Sequence, residues 1–299
     1  MCFQNFCKGI FLMKKISCIL LILLSVLLVS CYGSWNIFYE GNNVDSRTHS
    51  LKNITIGESP EFSASGVAAL SGNYNVLIIS DAHFGYKMKE APLQRLYTWL
   101  DSVKGTEKYP AFAICLGDST DLGRLDEFDL YLAFCKKLEN EYGLKLVLNA
   151  CGNHDIYQNN WENWERNCYP HTSFYKFKTE KLSWYCLDTA SGVIGMKQYK
   201  LLLSEFARDS RKKIIFTHYP VVQSNFGFAH LGETTERNLL ISDFMKNKVI
   251  CVLGGHNHVK FYQDVGFYDY GLPAFGYSEI WGILNIDEDK GNATLDFID

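Results

Sequence analysis

Five short stretches of this 299-residue chain carry side chains that can bind cations or move protons. In order they read Asp81-Ala-His83, Gly117-Asp118-Ser-Thr-Asp121, Gly152-Asn153-His154-Asp155, Thr217-His218 and Gly255-His256-Asn-His258. Pooled, they offer enough carboxylate, amide and imidazole donors for two divalent metals. Oxygen and imidazole donors without thiolates suit Mn, Fe, Zn, Co or Ni. No Ser-His-Asp or cysteine-based arrangement competes with them.

The series resembles the signature of the calcineurin-like metallophosphoesterases: D-x-H, G-D-x-x-D, G-N-H-[DE], a lone His, then G-H-x-H. All five blocks stand in the family's order between about Asn75 and Asp264. D-x-H or a lone His is common by chance, whereas Gly-Asn-His-Asp and Gly-His-Asn-His are rare. The resemblance implies an α/β fold, a four-layer α-β-β-α sandwich of two mixed sheets. It also implies two divalent metal ions, with Mn favoured.

By that resemblance Asp81, His83 and His258 hold the first metal, and Asn153, His218 and His256 the second. Asp118 bridges the two, since a carboxylate has two oxygens to share and an imidazole does not. His154 is expected to contact the phosphate and assist the leaving oxygen, with Asp155 orienting its ring. A histidine can do such work near neutral pH. Asp121 is read as structural, capping the next helix or fixing the loop. The implied reaction is hydrolysis of phosphate mono- or diesters by hydroxide activated between two metals, with no covalent phosphoenzyme. Purple acid phosphatases carry Gly at the place of His83 and Tyr at the place of Asp121, so that branch does not fit. The alternative is a non-enzymatic surface lipoprotein using the fold for partner or metal binding, a reading that retention of all seven ligands disfavours.

The elements that must position these residues are legible as apolar runs. Asn75–Ser80 reads as a strand buried on both faces. A helix over 91–104, a strand over 111–116, a helix over 124–142 and a strand over 144–149 follow. This order implies parallel strands with right-handed crossovers, and each motif falls just past a strand's C-terminal end. Beyond them come a hairpin (173–178 and 182–187), a helix (196–209), a strand (213–217), a helix (235–247) and a strand (249–253). The tail, 259–299, suggests β-hairpins that complete a second sheet. Tyr157, Trp161, Trp164, Phe226 and Phe228 flank the motifs and are read mainly as packing their loops. Asp188 is expected to fix a turn, and His171 and His230 have no assigned role.

Apolar residues make up 47% of the chain and aromatics 15%, enough for a substantial core, and the net charge is −4 with mixed signs. No basic tail or polybasic patch points to nucleic acid, which makes a small phosphoester the expected partner. Residues 1–30 read as a targeting segment: Met13-Lys14-Lys15, then an apolar run from Ile16 to Val29. That run is shorter than the roughly 20 residues a spanning helix needs. Leu28-Val-Ser-Cys31 resembles the bacterial lipobox, with Cys31 as the lipidated residue. The expectation is an exported protein, lipid-anchored to a bacterial membrane and periplasmic or at the cell surface. Residues 31–73 then serve as tether and extension, and 74–299 as the catalytic domain. Cys115 and Cys251 lie in strand-like runs and are expected to be buried thiols.

Overall fold

Strand alternation sorts the apolar side chains of the described residues into three cores. The computed structural model describes residues 43–54, 70–222 and 231–299; residues 1–42, and with them the targeting segment and Cys31, as well as Phe226, Phe228 and His230, lie outside these. One sheet has five strands in the order β12 (Asn292–Ile298), β11 (Trp281–Asp287), β2 (Asn73–Ile79), β3 (Pro110–Cys115) and β4 (Val147–Asn149). The other has seven: β1 (Lys52–Asn53), β5 (Tyr175–Lys178), β6 (Leu182–Cys186), β7 (Lys212–Phe216), β8 (Val249–Gly254), β10 (Tyr268–Gly271) and β9 (Phe261–Asp264). Both sheets mix parallel and antiparallel pairs.

Val76 and Ile78 of β2 point into a core shared with Phe177, Trp184 and Phe216 of the seven-stranded sheet. Their neighbours Leu77 and Ile79 point the other way, onto helices α2 (Glu90–Val103) and α3 (Leu125–Asn140) through Leu96, Leu100, Phe128 and Phe134. On the far side, Tyr185, Ile215 and Val252 meet Leu202 and Phe206 of α5 (Met196–Arg208) and Leu240 and Phe244 of α6 (Thr234–Lys246). A strand covered on both faces has no polar side to show, so its run is continuously apolar. The result is a four-layer α-β-β-α sandwich.

β2, β3 and β4 are parallel neighbours. Strand β4 is shorter than the expected 144–149, although Lys145 and Leu146 already bond to Ala111 and Ala113. The tail divides between the two sheets instead of completing one. The β9–β10 hairpin joins β8, whereas β11–β12 crosses back to lie antiparallel to β2. Within the N-terminal extension, α1 (Val44–Arg47) and β1 are described, and β1 pairs in parallel with β5. A small α4 (Trp161–Asn167) and a single-turn α7 (Phe275–Ser278) complete the helices used below. All six cysteines among the described residues are free and buried, Cys115 and Cys251 included.

Candidate metal centre

Each motif begins where a strand ends: Ile79 leads to Asp81, Cys115 to Asp118, Asn149 to Asn153, Phe216 to His218 and Gly254 to His256. The turns are laced to one another by backbone bonds. Asp81 N donates to Gly117 O (3.0 Å), His83 N to Asp118 O (2.9 Å) and Gly255 N to His218 O (2.8 Å). Five of the turn residues, Asp81, His83, Asp118, His256 and His258, hold positive φ between 48° and 65°. For side chains other than glycine this region is costly, and such outliers cluster at functional sites.

Three groups of donors result among the described residues; His83, Asp121 and His154 form one, and the other two share Asp118. Asp81, His83, Asp118 and His258 bring one ligand atom each within 4.8 Å of the others, and so do Asp118, His218 and His256. Asp118 belongs to both. Its Oδ2 lies 3.9 Å from His83 Nε2 and 3.4 Å from His218 Nε2, while Oδ1 accepts from the His154 backbone N (2.8 Å). Asn153 Oδ1 stands 3.0 Å from His218 Nε2, beside the second group. Space is tight by necessity: a Cβ on Gly152 would sit 2.2 Å from Asp118 Oδ1, and one on Gly117 2.8 Å from His218 Nδ1.

The donor set fits divalent cations, and one observation favours them directly. His83 is fully buried, yet neither ring nitrogen has a hydrogen-bond partner. Buried polar atoms are rarely left so, and a cation among Asp81, Asp118 and His258 would meet one of them.

The electrostatics suit cation binding. Burial opposes ionisation of Asp118, but the imidazoles of His218, His154 and His83 outweigh it and hold the carboxyl well below the usual range. Burial works the same way on Asp81, and a bond from His258 and the charge of His218 keep its carboxyl low. Burial pushes His83 and His256 down to about 4, leaving them neutral with lone pairs to offer. At His218 burial is overridden by Asp118, and the imidazole rises to about 9. A cation in that group would take the place of the proton.

His154 sits at the edge of the two groups that share Asp118. Its Nδ1 lies 2.6 Å from the Asp121 backbone oxygen, and its Nε2 lies 3.3 Å from Tyr157 Oη. The expectation that Asp155 orients this ring is corrected by the structure. Asp155 Oδ1 accepts from Thr120 N (2.9 Å) and Thr120 Oγ1 (3.1 Å), and Oδ2 from Gly152 N (2.9 Å). It clamps two motif turns together and does not touch the imidazole. Burial, with Asp118 as a like charge, pushes its carboxyl up to about 7. Asp121 does not cap α3 either; Glu127 does, accepting from Leu122 N (2.8 Å) and Arg124 N (3.3 Å). The Asp121 carboxylate instead meets Lys87 Nζ at 2.8 Å and lies 3.6 Å from His83 Nδ1.

The calcineurin-like phosphoesterase model matches residues 74–260, well over half the chain. The chain belongs to the calcineurin-like phosphoesterases. As a member it is a phosphoester hydrolase, and its Asp/His cluster suits a divalent metal pair. No curated protein sequence matches it. Among solved structures it is similar to GAP50, the anchor in the inner membrane complex of Plasmodium, at 11% identity and a TM-score of 0.57, covering 76% of this chain and 85% of that one. Thermus thermophilus sulfate thiohydrolase SoxB aligns at 11% identity and 0.45, over 76% of this chain and 56% of its own. Pseudomonas putida nuclease MPE aligns at 13% and 0.31, over 73% and 87%. The GAP50 likeness bears on the fold alone.

Three tyrosines that the motifs do not announce rim this phosphoesterase site. Tyr219 stacks on His256 (ring centroids 3.7 Å apart), Tyr277 of α7 touches His258 Nδ1 through its hydroxyl, and Tyr157 leans on His154 (4.3 Å). Tyr219 directly follows His218 and Tyr157 lies three residues past His154, so adjacency was a usable signal. Tyr277 comes from the tail, where nothing local marks it. Trp164 is buried in the helical core and Trp161 stacks on it (5.3 Å), so this pair packs the loop. His171 bonds through Nδ1 to Glu165 O and takes no part in the donor groups.

Proposed function

We propose that this chain hydrolyses phosphate mono- or diesters at a dinuclear metal centre built from Asp81, His83, Asp118, Asn153, His218, His256 and His258. The observation that carries this reading is the Asp118 carboxylate, which belongs at once to two of the donor groups. Two divalent cations, when bound, would bring water's pKa toward neutrality and neutralise charge gathering on the phosphoryl group. Asp81, His83 and His258 would hold the first cation and Asn153, His218 and His256 the second. His154, its Nδ1 tied to the Asp121 carbonyl, presents Nε2 to the departing alcohol oxygen and donates or shares a proton there. Asp155 keeps the turns bearing Asp118 and Asn153 in register. Mn is the favoured ion among those an oxygen and imidazole set suits.

We further propose that residues 1–30 direct export and that Cys31 carries a lipid holding the domain at a bacterial membrane. The Leu-Val-Ser-Cys sequence after a short apolar run supports this. Mass spectrometry of the mature N-terminus tests it, and an unmodified Cys31 preceded by residues 1–30 would refute it.

The catalytic reading is tested with Mn-loaded protein on p-nitrophenyl phosphate, bis-p-nitrophenyl phosphate and a short oligonucleotide. Turnover on at least one is expected, and Asp118→Asn or His256→Ala should abolish it with the fold retained. Undiminished turnover in both variants would sink the mechanism. Tight metal binding without hydrolysis of any ester would favour the alternative, a surface protein that binds a partner or metal.

A further inference from the structure

Tyr157 stands between two residues that the proposed reaction uses for different purposes. It stands at the kink that interrupts the turns of His154–Asn159, with extended backbone (φ −55°, ψ 149°), and turns its hydroxyl back toward the motif that precedes it. Asn153 Nδ2 donates to Tyr157 Oη at 3.1 Å, and Tyr157 Oη lies 3.3 Å from His154 Nε2.

The chemistry of a carboxamide gives the first contact its meaning. Its oxygen and nitrogen leave the same carbon in opposed directions, so fixing one aims the other. With Nδ2 held by Tyr157, Oδ1 faces His218 Nε2 at 3.0 Å, on the side of the Asp118–His218–His256 group. Flipped, the amide would offer that group an NH2, which cannot ligate a cation. Among the described residues Tyr157 is the one hydrogen-bond partner of that nitrogen.

The second contact is complementary. Having accepted from Asn153, the hydroxyl keeps its own proton to donate, and in the neutral ring, before it takes up the proton it would pass to the leaving oxygen, His154 Nε2 offers a lone pair while Nδ1–H points to the Asp121 carbonyl. A phenol ordinarily titrates at about 10, so the hydroxyl keeps its proton at neutral pH. The chain Asn153–Tyr157–His154–Asp121 thus has a consistent donor direction at every link.

We propose that Tyr157 is a positioning residue whose hydroxyl aims the Asn153 carboxamide oxygen at the second metal and sets the plane of the His154 ring. This deepens the dinuclear reading and rests on it. Partners one step removed from a metal typically change affinity or activity by about 10- to 100-fold when lost.

The test compares wild type, Tyr157→Phe, Tyr157→Leu, Asn153→Ala and the Tyr157→Phe/Asn153→Ala double variant in the full chain. Mn titration calorimetry and kcat and KM across pH are the readouts. Tyr157→Phe keeps the ring and its packing but loses both bonds. It should weaken one class of Mn site by about 10- to 100-fold and leave the other unchanged. It should also lower kcat more than KM at saturating Mn and change the shape of the kcat–pH profile. Because Asn153 and Tyr157 act through one bond, the double variant should bind Mn no worse than Asn153→Ala alone. Wild-type Mn affinity and an unchanged pH profile in Tyr157→Phe, with losses only in Tyr157→Leu, would reduce the residue to ring packing and overturn the proposal. Asp118→Asn run alongside separates the two ideas. If it still hydrolyses substrate, the dinuclear reading has failed. If it is inert while Tyr157→Phe matches wild type, only the role of Tyr157 has failed.

Discussion

The Arg47 guanidinium closes in bidentate fashion on the Asp188 carboxylate, Nε to Oδ2 at 2.7 Å and Nη2 to Oδ1 at 2.9 Å. Both side chains are buried, and Asp188 also accepts from Ser173 Oγ (2.6 Å) and Ala190 N (3.1 Å). The bond to Ala190 is the turn role expected of Asp188, and the bond to Arg47 adds a link across 141 positions. Removing one partner of a buried pair strands the other, at a cost of roughly 3–5 kcal/mol. Arg47→Met should therefore lower the denaturation midpoint strongly, and Arg47→Met/Asp188→Leu should recover part of the loss. A domain cut to begin at residue 74 lacks Arg47 and should be destabilised similarly. Urea unfolding of the four proteins decides it; a truncated domain as stable as the parent would contradict the argument.

Glycine substitutions should separate damage to the site from damage to the fold. A Cβ on Gly255 would lie 1.9 Å from Ser80 Oγ and 2.6 Å from Asp81 Oδ2. Those are side-chain atoms that can give way, so Gly255→Ala should fold while losing at least about tenfold in Mn affinity. On Gly152 the Cβ would come 2.1 Å from the Asp118 backbone nitrogen. Nothing there can move cheaply, and Gly152→Ala should lose stability as well as metal. Circular dichroism melts paired with metal titration distinguish the outcomes.

Metal removal should cost both activity and stability. Chelation is expected to abolish phosphoester turnover, and Mn at 100 times its dissociation constant should add about 2.7 kcal/mol per site to unfolding. Thermal melts with and without chelator check this. An unchanged midpoint on Mn addition would mean that the folded centre does not bind the ion.

Asp269 predicts a pH dependence that arises away from the donor groups. It lies on β10, is 1% exposed, and its Oδ2 meets no donor. Burial alone pushes its carboxyl up to about 7, from an ordinary value of 3.8. The folded state thus keeps a proton that the unfolded chain releases. Its stabilising contribution is complete below pH 3.8 and is lost as pH rises through about 7. The span corresponds to roughly 4 kcal/mol as an upper bound. Asp269→Asn mimics the neutral acid and should flatten the decline between about pH 4 and pH 7. Stability–pH curves for the two proteins test it, and parallel curves would exclude Asp269 as the source.

The framework was legible because its signals are local. A strand covered on both faces, such as Asn75–Ser80, announces itself as an unbroken apolar run, and the motif turns contain rare residue combinations. Three features had no such signal. The partner of His154 Nδ1 is a backbone carbonyl, which any residue at position 121 would supply, whereas the adjacent Asp155 carboxylate is the partner that residue types alone suggest. Strand β11 pairs with β2, more than 200 positions earlier, and apolar periodicity does not say which sheet a hairpin joins. Tyr277 meets His258 only because α7 is tied to the β2 turn, with Phe275 N donating to Ser80 O (2.8 Å) and Gly276 N to Asp81 O (3.2 Å).

The left-handed backbone at Asp81, His83, Asp118, His256 and His258 bears on how this sequence can change. At each of these positions glycine or asparagine would relieve strain, and neither offers the imidazole or carboxylate now present. Selection for stability of the metal-free fold alone would thus pull these five sites toward replacements that dismantle the pocket. The most robust version of this chain and its most capable version are different molecules.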